Sequence, residues 1–184
     1  MRIAILAWGS LLWEGGHEFD KWHNQWAQDG PSLKIEFSRI SERRLGALTL
    51  VIDNEHGALN AVSWCLSKRT DLEDASCDLR AREGTTLGQI GRLVVSPQPE
   101  GAARQPDPIE EWARTRRLDA VIWTALKSNF QDTTKRPFSV AAATAYLQSL
   151  SAEAKAKAAE YIWRAPQLVK TPLRAAMETP PWFR

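Results

Sequence analysis

Apolar residues fall in short blocks over the first two thirds of the chain and recur at helical spacing over the last third. Residues 2–8 (RIAILAW) form one block ending at Gly9, which predicts a buried first strand. Gly9 to Gly16 is turn-rich and carries Trp13. Residues 17–30 are polar with Trp22 and Trp26 four apart, the pattern of a short helix or an ordered loop. Leu33, Ile35 and Phe37 alternate, predicting a strand over 33–40. Residues 46–53 and 60–67 predict two more strands. The turn-forming Asn54-Glu55-His56-Gly57 between them suggests that they pair with each other as an antiparallel hairpin.

Thr70-Asp71-Leu72-Glu73 fits a capping box with Thr70 as N-cap, and Gly84 suits the left-handed residue past a helix end. A helix is therefore expected between them. Residues 90–96 predict a strand, and 97–108, with four prolines, a surface connection. Asp107-Pro108-Ile109-Glu110 places Asp at the N-cap and Pro at the first position of the next helix. A strand over 119–125 follows, then helices over 139–150 and 151–164 capped by Ser139 and Ser151. A last short helix fits 167–178, with 179–184 as a tail. Strands early and helices late make an α+β pattern, expected as a curled antiparallel sheet with helices outside. No internal repeat is present.

At 184 residues the chain has the length of a single domain. Its apolar share of 43% and charged share of 25% argue against disordered and fibrous classes. The net charge of +2 gives no footprint for nucleic acid. No stretch approaches the roughly 18 apolar residues of a membrane span. The N-terminal apolar run lacks a small-residue cleavage site and is broken by Gly9-Ser10, so it reads as a strand rather than a signal peptide. Cys65 and Cys77 make no disulfide framework and start no CxxC pair. A reduced, cytoplasmic protein without metal or cofactor is the expectation. Nine tryptophans are many for this length, and suit core packing or an aromatic-lined pocket.

Two places carry candidate chemistry. In Trp8-Gly9-Ser10-Leu11-Leu12-Trp13 a strand ends in Gly-Ser and the chain turns. Such a turn is either a plain connection or a nest of backbone N–H groups that binds an anion, with Gly9 allowing close approach. Neither a P-loop nor a GxGxxG pattern is present. The second place is Glu83. Eleven residues separate it from Leu72, about 1100° of helical rotation, which returns it to the face of Leu72 and Leu79. Arg80 and Arg82 fall on other sides. A carboxylate on the inner face at a helix C-terminus is paired, frayed outward, or held as a base of raised pKa. His17, Asp20 and His23 are three apart each time; hydrogen bonding within a loop explains them better than metal binding. Arg39, Arg43 and Arg44 form a basic cluster that suits a solvated strand end or a clamp on a carboxylate.

Residues Trp8 to Trp13 resemble the Y-G-S-L-[IM]-W loop after the first strand of the γ-glutamylcyclotransferase superfamily, closest to its ChaC-like branch. Asn60-Ala61-Val62-Ser63-Trp64 resembles that family's G-x-V/A-W/Y strand, and Asp78-Leu79-Arg80-Ala81-Arg82-Glu83-Gly84 is similar to its L-D-x-R-E-G helix end. The likeness spans about residues 3–130. It implies a mixed or antiparallel α+β barrel with outer helices. It implies cyclisation of a γ-glutamyl group to 5-oxoproline with release of an amine or peptide, glutathione being one such substrate. Glu83 would be the catalytic acid/base, and Trp8, Gly9, Ser10, Leu11, Leu12 and Trp13 would bind substrate. The departure is Trp8, where the family has Tyr; indole donates a hydrogen bond but accepts none. That difference keeps a second reading open, a non-catalytic small-molecule-binding member of the same fold.

Overall fold

A computed structural model describes residues 1–95 and 107–183. Among them it is an α+β chain whose strands make two open sheets and no closed barrel. The proline-bearing connection read over 97–108 lies outside the described residues apart from Asp107 and Pro108. The residues divide into two compact units.

The first unit takes in Met1–Ala7, Glu14–Ser32 and the described part of Ala61–Ala125. Its sheet has the order β5-β1-β7-β6, with β1 Ile3–Ala7, β5 Ser63–Leu66, β6 Ile90–Val94 and β7 Ala120–Thr124. β1 is antiparallel to β5 and parallel to β7, so the sheet is mixed. The unbroken apolar run of β1 is that of a strand covered on both faces, and all five residues are buried. Helix α1 (Leu72–Glu83) packs against β7 and a 3-10 turn at Glu18–Trp22, and α2 (Pro108–Thr115) against β7. The α1 cap is Asp71, one residue past the expected Thr70; its carboxylate accepts the N–H groups of Glu73 at 2.8 Å and Asp74 at 3.0 Å. Gly84 ends α1 in the left-handed conformation at φ 57°, as expected.

The second unit takes in Trp8–Trp13, Leu33–Asn60 and the described part of Leu126–Arg184. Its sheet runs β3-β2-β4, with β2 Ser32–Ser41, β3 Ala47–Ile52 and β4 Ala58–Ala61. The expected hairpin between 46–53 and 60–67 does not form. Asp53 Oδ1 accepts the N–H groups of Glu55 at 3.1 Å and His56 at 2.9 Å, which closes a tight turn. The chain then passes the end of β2, where a Cβ on Gly57 would come within 2.8 Å of Ile35 N. It emerges on the far edge of β2 instead of returning along β3. The 60–67 stretch is split at Val62, so β5 joins the other sheet.

Among the described residues, helices α3 (Phe130–Thr134), α4 (Val140–Ser149), α5 (Ala152–Arg164) and α6 (Pro172–Ala176) complete this unit. Ser139 and Ser151 cap α4 and α5 as the pattern predicts. Ala154, Ala158, Tyr161 and Ile162 share one buried face of α5, which packs on β3. α3 was not foreseen; Asn129 just before it bonds the N–H and carbonyl of Ile40 in β2, at 2.7 and 3.1 Å. The segment read as a tail is packed, with a 3-10 turn at Pro181–Phe183 and Phe183 buried.

Candidate functional site

The two places singled out by sequence fall in different units, Trp8–Trp13 in the second and Glu83 in the first.

β1 ends at Ala7, and the chain enters a 3-10 turn at Ser10–Leu12. Leu12 N–H donates to Gly9 O at 3.0 Å and Trp13 N–H to Ser10 O at 3.2 Å. The Leu12 amide, expected to face an anion, is thus spent on the turn itself. Gly9 to Trp13 are half-buried. Trp8 is not part of that partly open surface: it is 5% exposed, and its indole N–H donates to Leu50 O in β3 at 3.2 Å. Position 8 therefore anchors the loop to the core.

Gly9 is needed for close approach and not for its backbone angles, since φ is −124°. A Cβ at this position would lie 2.6 Å from Tyr161 Oη. The space beside Gly9 expected to receive a ligand is therefore taken by a phenol from α5. Tyr161 is held edge-on by Trp13, with ring centroids 5.3 Å apart, and by Phe37 at 6.2 Å. The Arg44 guanidinium lies 4.8 Å from the centre of the Tyr161 ring. The glycine loop and one member of the basic cluster thus meet on a residue that neither motif contains. Its signal in the sequence was its place on the apolar face of α5, which reads equally as plain core. Of the other basic residues, Arg39 donates to Lys127 O at 2.8 Å, which makes it a structural tie.

Glu83 is the last residue of α1, with its side chain 18% exposed. Arg82 Nη1 lies 3.9 Å from Glu83 Oε1. Arg82, expected on another side, is itself 7% exposed. Its guanidinium reaches back to donate to Glu14 O at 3.1 Å and lies 3.6 Å from the Glu14 carboxylate. A long, flexible side chain in the last turn escapes the angular rule that places shorter ones. Glu83 is thus neither frayed into solvent nor alone.

The remaining candidates have structural roles. Asp20 accepts the N–H groups of Gly16 at 2.7 Å and His17 at 3.1 Å, and His23 Nε2 stands 3.8 Å from it. This is the loop hydrogen bonding expected of the His17, Asp20 and His23 set. Burial pushes the Cys65 thiol far up, so it stays protonated; Cys77 is half-buried. Several tryptophans act as clips. The indole N–H of Trp64 donates to the Asp29 carboxylate at 2.7 Å, that of Trp112 to Asp29 O at 3.1 Å, and that of Trp163 to Phe183 O at 3.3 Å. No helix among the described residues is long and apolar enough to cross a membrane.

One titratable group escaped the sequence reading. The alternation of Leu33, Ile35 and Phe37 puts Glu36 on the opposite face of β2, yet it is 0% exposed. A register shift between Glu36 and Arg39 breaks the alternation, and α6 covers that side. Glu36 accepts the N–H groups of Phe37 at 2.7 Å and Leu173 at 3.2 Å. Burial raises its pKa, opposed by hydrogen bonds from Thr171, Phe37 and Leu173 and assisted by the charge of Asp53. For Asp53 burial also pushes upward. The N–H bonds from His56 and Glu55, with the charge of the His56 ring, outweigh it and hold Asp53 below the usual carboxylate range.

No family model matches the chain, and no curated protein matches it.

Proposed function

We propose that residues 1–184 form a single γ-glutamylcyclotransferase-like domain that closes a γ-glutamyl group to 5-oxoproline and releases an amine or peptide, in the cytoplasm. The α-amine of the substrate attacks its own γ-carbonyl. The attacking nitrogen must lose a proton and the leaving nitrogen must gain one, and a single carboxylate can carry both transfers. Glu83 is assigned that role. Because nucleophile and carbonyl belong to one molecule, binding has only to fold the substrate into an attacking conformer. The Trp8–Trp13 loop is assigned recognition of the glutamyl end, through the backbone and side chains of Gly9 to Trp13. No metal or cofactor enters this chemistry.

The observation that carries the reading is the state of Glu83: a part-buried carboxylate closing α1 immediately before a left-handed Gly84. That is the local form of the helix end the resemblance points to. The non-catalytic reading drew its weight from Trp8. That indole is buried and donates to Leu50 O, so position 8 is a core anchor. The test is to incubate the purified protein with glutathione and a panel of γ-glutamyl amino acids. Release of 5-oxoproline is expected. A folded protein that releases none from any of them overturns the proposal.

A further inference from the structure

We propose that the seat of α6 on β2 is a proton-linked latch, closed while the Glu36 carboxyl holds its proton and loosened when that proton is lost. Glu36 takes no part in the chemistry proposed above. It lies in the second unit, fully buried within β2. One carboxyl oxygen accepts the N–H of Phe37, the next residue of its own strand, at 2.7 Å. The other accepts the N–H of Leu173 at 3.2 Å, in the first turn of α6 and 137 residues further along the chain. Thr171 caps that turn, its hydroxyl accepting the N–H of Arg174 at 3.2 Å. A single carboxyl therefore joins the central strand of the sheet β3-β2-β4 to the start of α6.

The surroundings favour the protonated form. Burial is the largest influence on the carboxyl and disfavours its charge, and the charge of Asp53 acts in the same direction. Asp53 stands in the turn after β3, with the His56 ring 3.4 Å from its Oδ1. β3, β4 and α4, which packs on α6, carry no charged residue. On β2 itself Lys34 donates to Asn54 O and Arg39 to Lys127 O. In α6 the charged residue is Arg174, and its guanidinium donates to the carbonyls of Pro166 at 2.7 Å, Val169 at 2.9 Å and Ala165 at 3.1 Å. Just before α6, the Asn60 side chain accepts the N–H of Lys170 at 2.7 Å and donates to its carbonyl at 3.1 Å. The carbonyls and the amide in these ties do not titrate, so acid and base act on the segment at Glu36. Loss of its proton leaves a charge in the protein interior that water solvates once α6 lifts. The open form stays a minor state, because lifting α6 also exposes the buried Leu173 and Met177.

Lifting α6 exposes Glu36, so the opening constant rises by up to about tenfold per pH unit above the ordinary glutamate value of about 4.3, and levels off once the folded value is passed. Residue-resolved hydrogen exchange reads that constant as a protection factor, from which the intrinsic pH dependence of exchange is already divided out. The N–H of Leu173 reports the latch itself. Those of Ala175 and Met177, bonded to Thr171 O and Leu173 O at 3.1 Å each, report α6. In wild type the protection of all three is expected to fall together, by about tenfold or more, as pH is raised from about 4.3 to 8. It is also expected to lie about tenfold or more below that of the β3 amides, because α6 opens without the rest of the fold. Glu36→Gln cannot ionise, and its α6 protection should not change with pH. Protection that is flat in wild type overturns the latch. So does α6 protection equal to that of β3, which would mean that α6 opens only with the whole fold. The same fall in Glu36→Gln also overturns it, since another group would then be titrating. If Glu36→Gln does not fold, the two wild-type readings decide alone, and none of them needs a substrate.

Discussion

Gly9→Ala introduces one methyl group at a point where the structure leaves no room. The new Cβ would stand 2.6 Å from Tyr161 Oη, well inside contact distance, while the next ring atom, Cζ, is 3.7 Å away, an ordinary contact. The ring is packed between Trp13 and Phe37 and carries Arg44 on its face, so it cannot retreat by the several tenths of an ångström required without disturbing them. Overpacking of this kind costs about 1–3 kcal/mol. Backbone strain adds nothing, because φ at Gly9 is negative and Ala adopts it. In a Tyr161→Phe background the clashing atom is gone, and Gly9→Ala should cost close to nothing, or even stabilise by restricting the unfolded chain. Urea unfolding of wild type, the two single variants and the double variant forms a complete cycle. A coupling of about 1–3 kcal/mol with unchanged m-values is expected. An equal cost of Gly9→Ala in both backgrounds would refute the idea that Gly9 exists to admit this hydroxyl.

Two further predictions concern stability. Glu36 has a raised folded pKa from burial, so its favourable contribution is complete below the ordinary glutamate value of about 4.3 and is lost as pH rises through the folded value. Asp53, held low, works the other way and weakens the fold only as pH falls below the ordinary aspartate range. As pH rises above about 4.3 the urea midpoint of wild type should therefore fall relative to that of Glu36→Gln; curves that stay parallel throughout would show that Glu36 has no raised pKa in the folded protein. At the start of α1, Asp71→Ala should cost about 1 kcal/mol while Thr70→Ala leaves stability nearly unchanged, as read by thermal melting, and the reverse ranking would restore the capping box.

Much of the secondary structure was legible, because β1, β2, α1, α2, α4 and α5 each carry a local signal: an apolar run, an alternation, or a cap-and-stop pair. Pairing was less so. The turn at Asn54–Gly57 has hairpin composition, but Asp53 bonds its own backbone and sends the chain past β2, a choice made by tertiary contact. Glu36 was hidden because α6, distant in sequence, covers the face of β2 that the alternation of its neighbours leaves polar. The glycine loop and Glu83 were visible as motifs, whereas Tyr161 and Arg44 were not joined to the loop by anything in the sequence. More than a hundred residues separate each of Gly9 and Arg44 from Tyr161, and the packing of α5 on β3 and on the 3-10 turn Glu42–Arg44 brings Arg44 to it. Half-buried Arg82 shows the same limit: helical angles place a Cβ, while a flexible arginine chooses its own partners.

The central claim is that a single carboxylate, Glu83, moves the proton that cyclisation requires. Glu83→Gln retains the size and hydrogen-bonding shape of the side chain but cannot carry that proton. The decisive measurement is the rate of 5-oxoproline formation by wild type and Glu83→Gln, side by side on whichever γ-glutamyl compound wild type turns over, with folding of both verified by circular dichroism. A loss in kcat of about 10²–10⁴-fold is expected. Near-normal turnover by a folded Glu83→Gln protein would contradict the account.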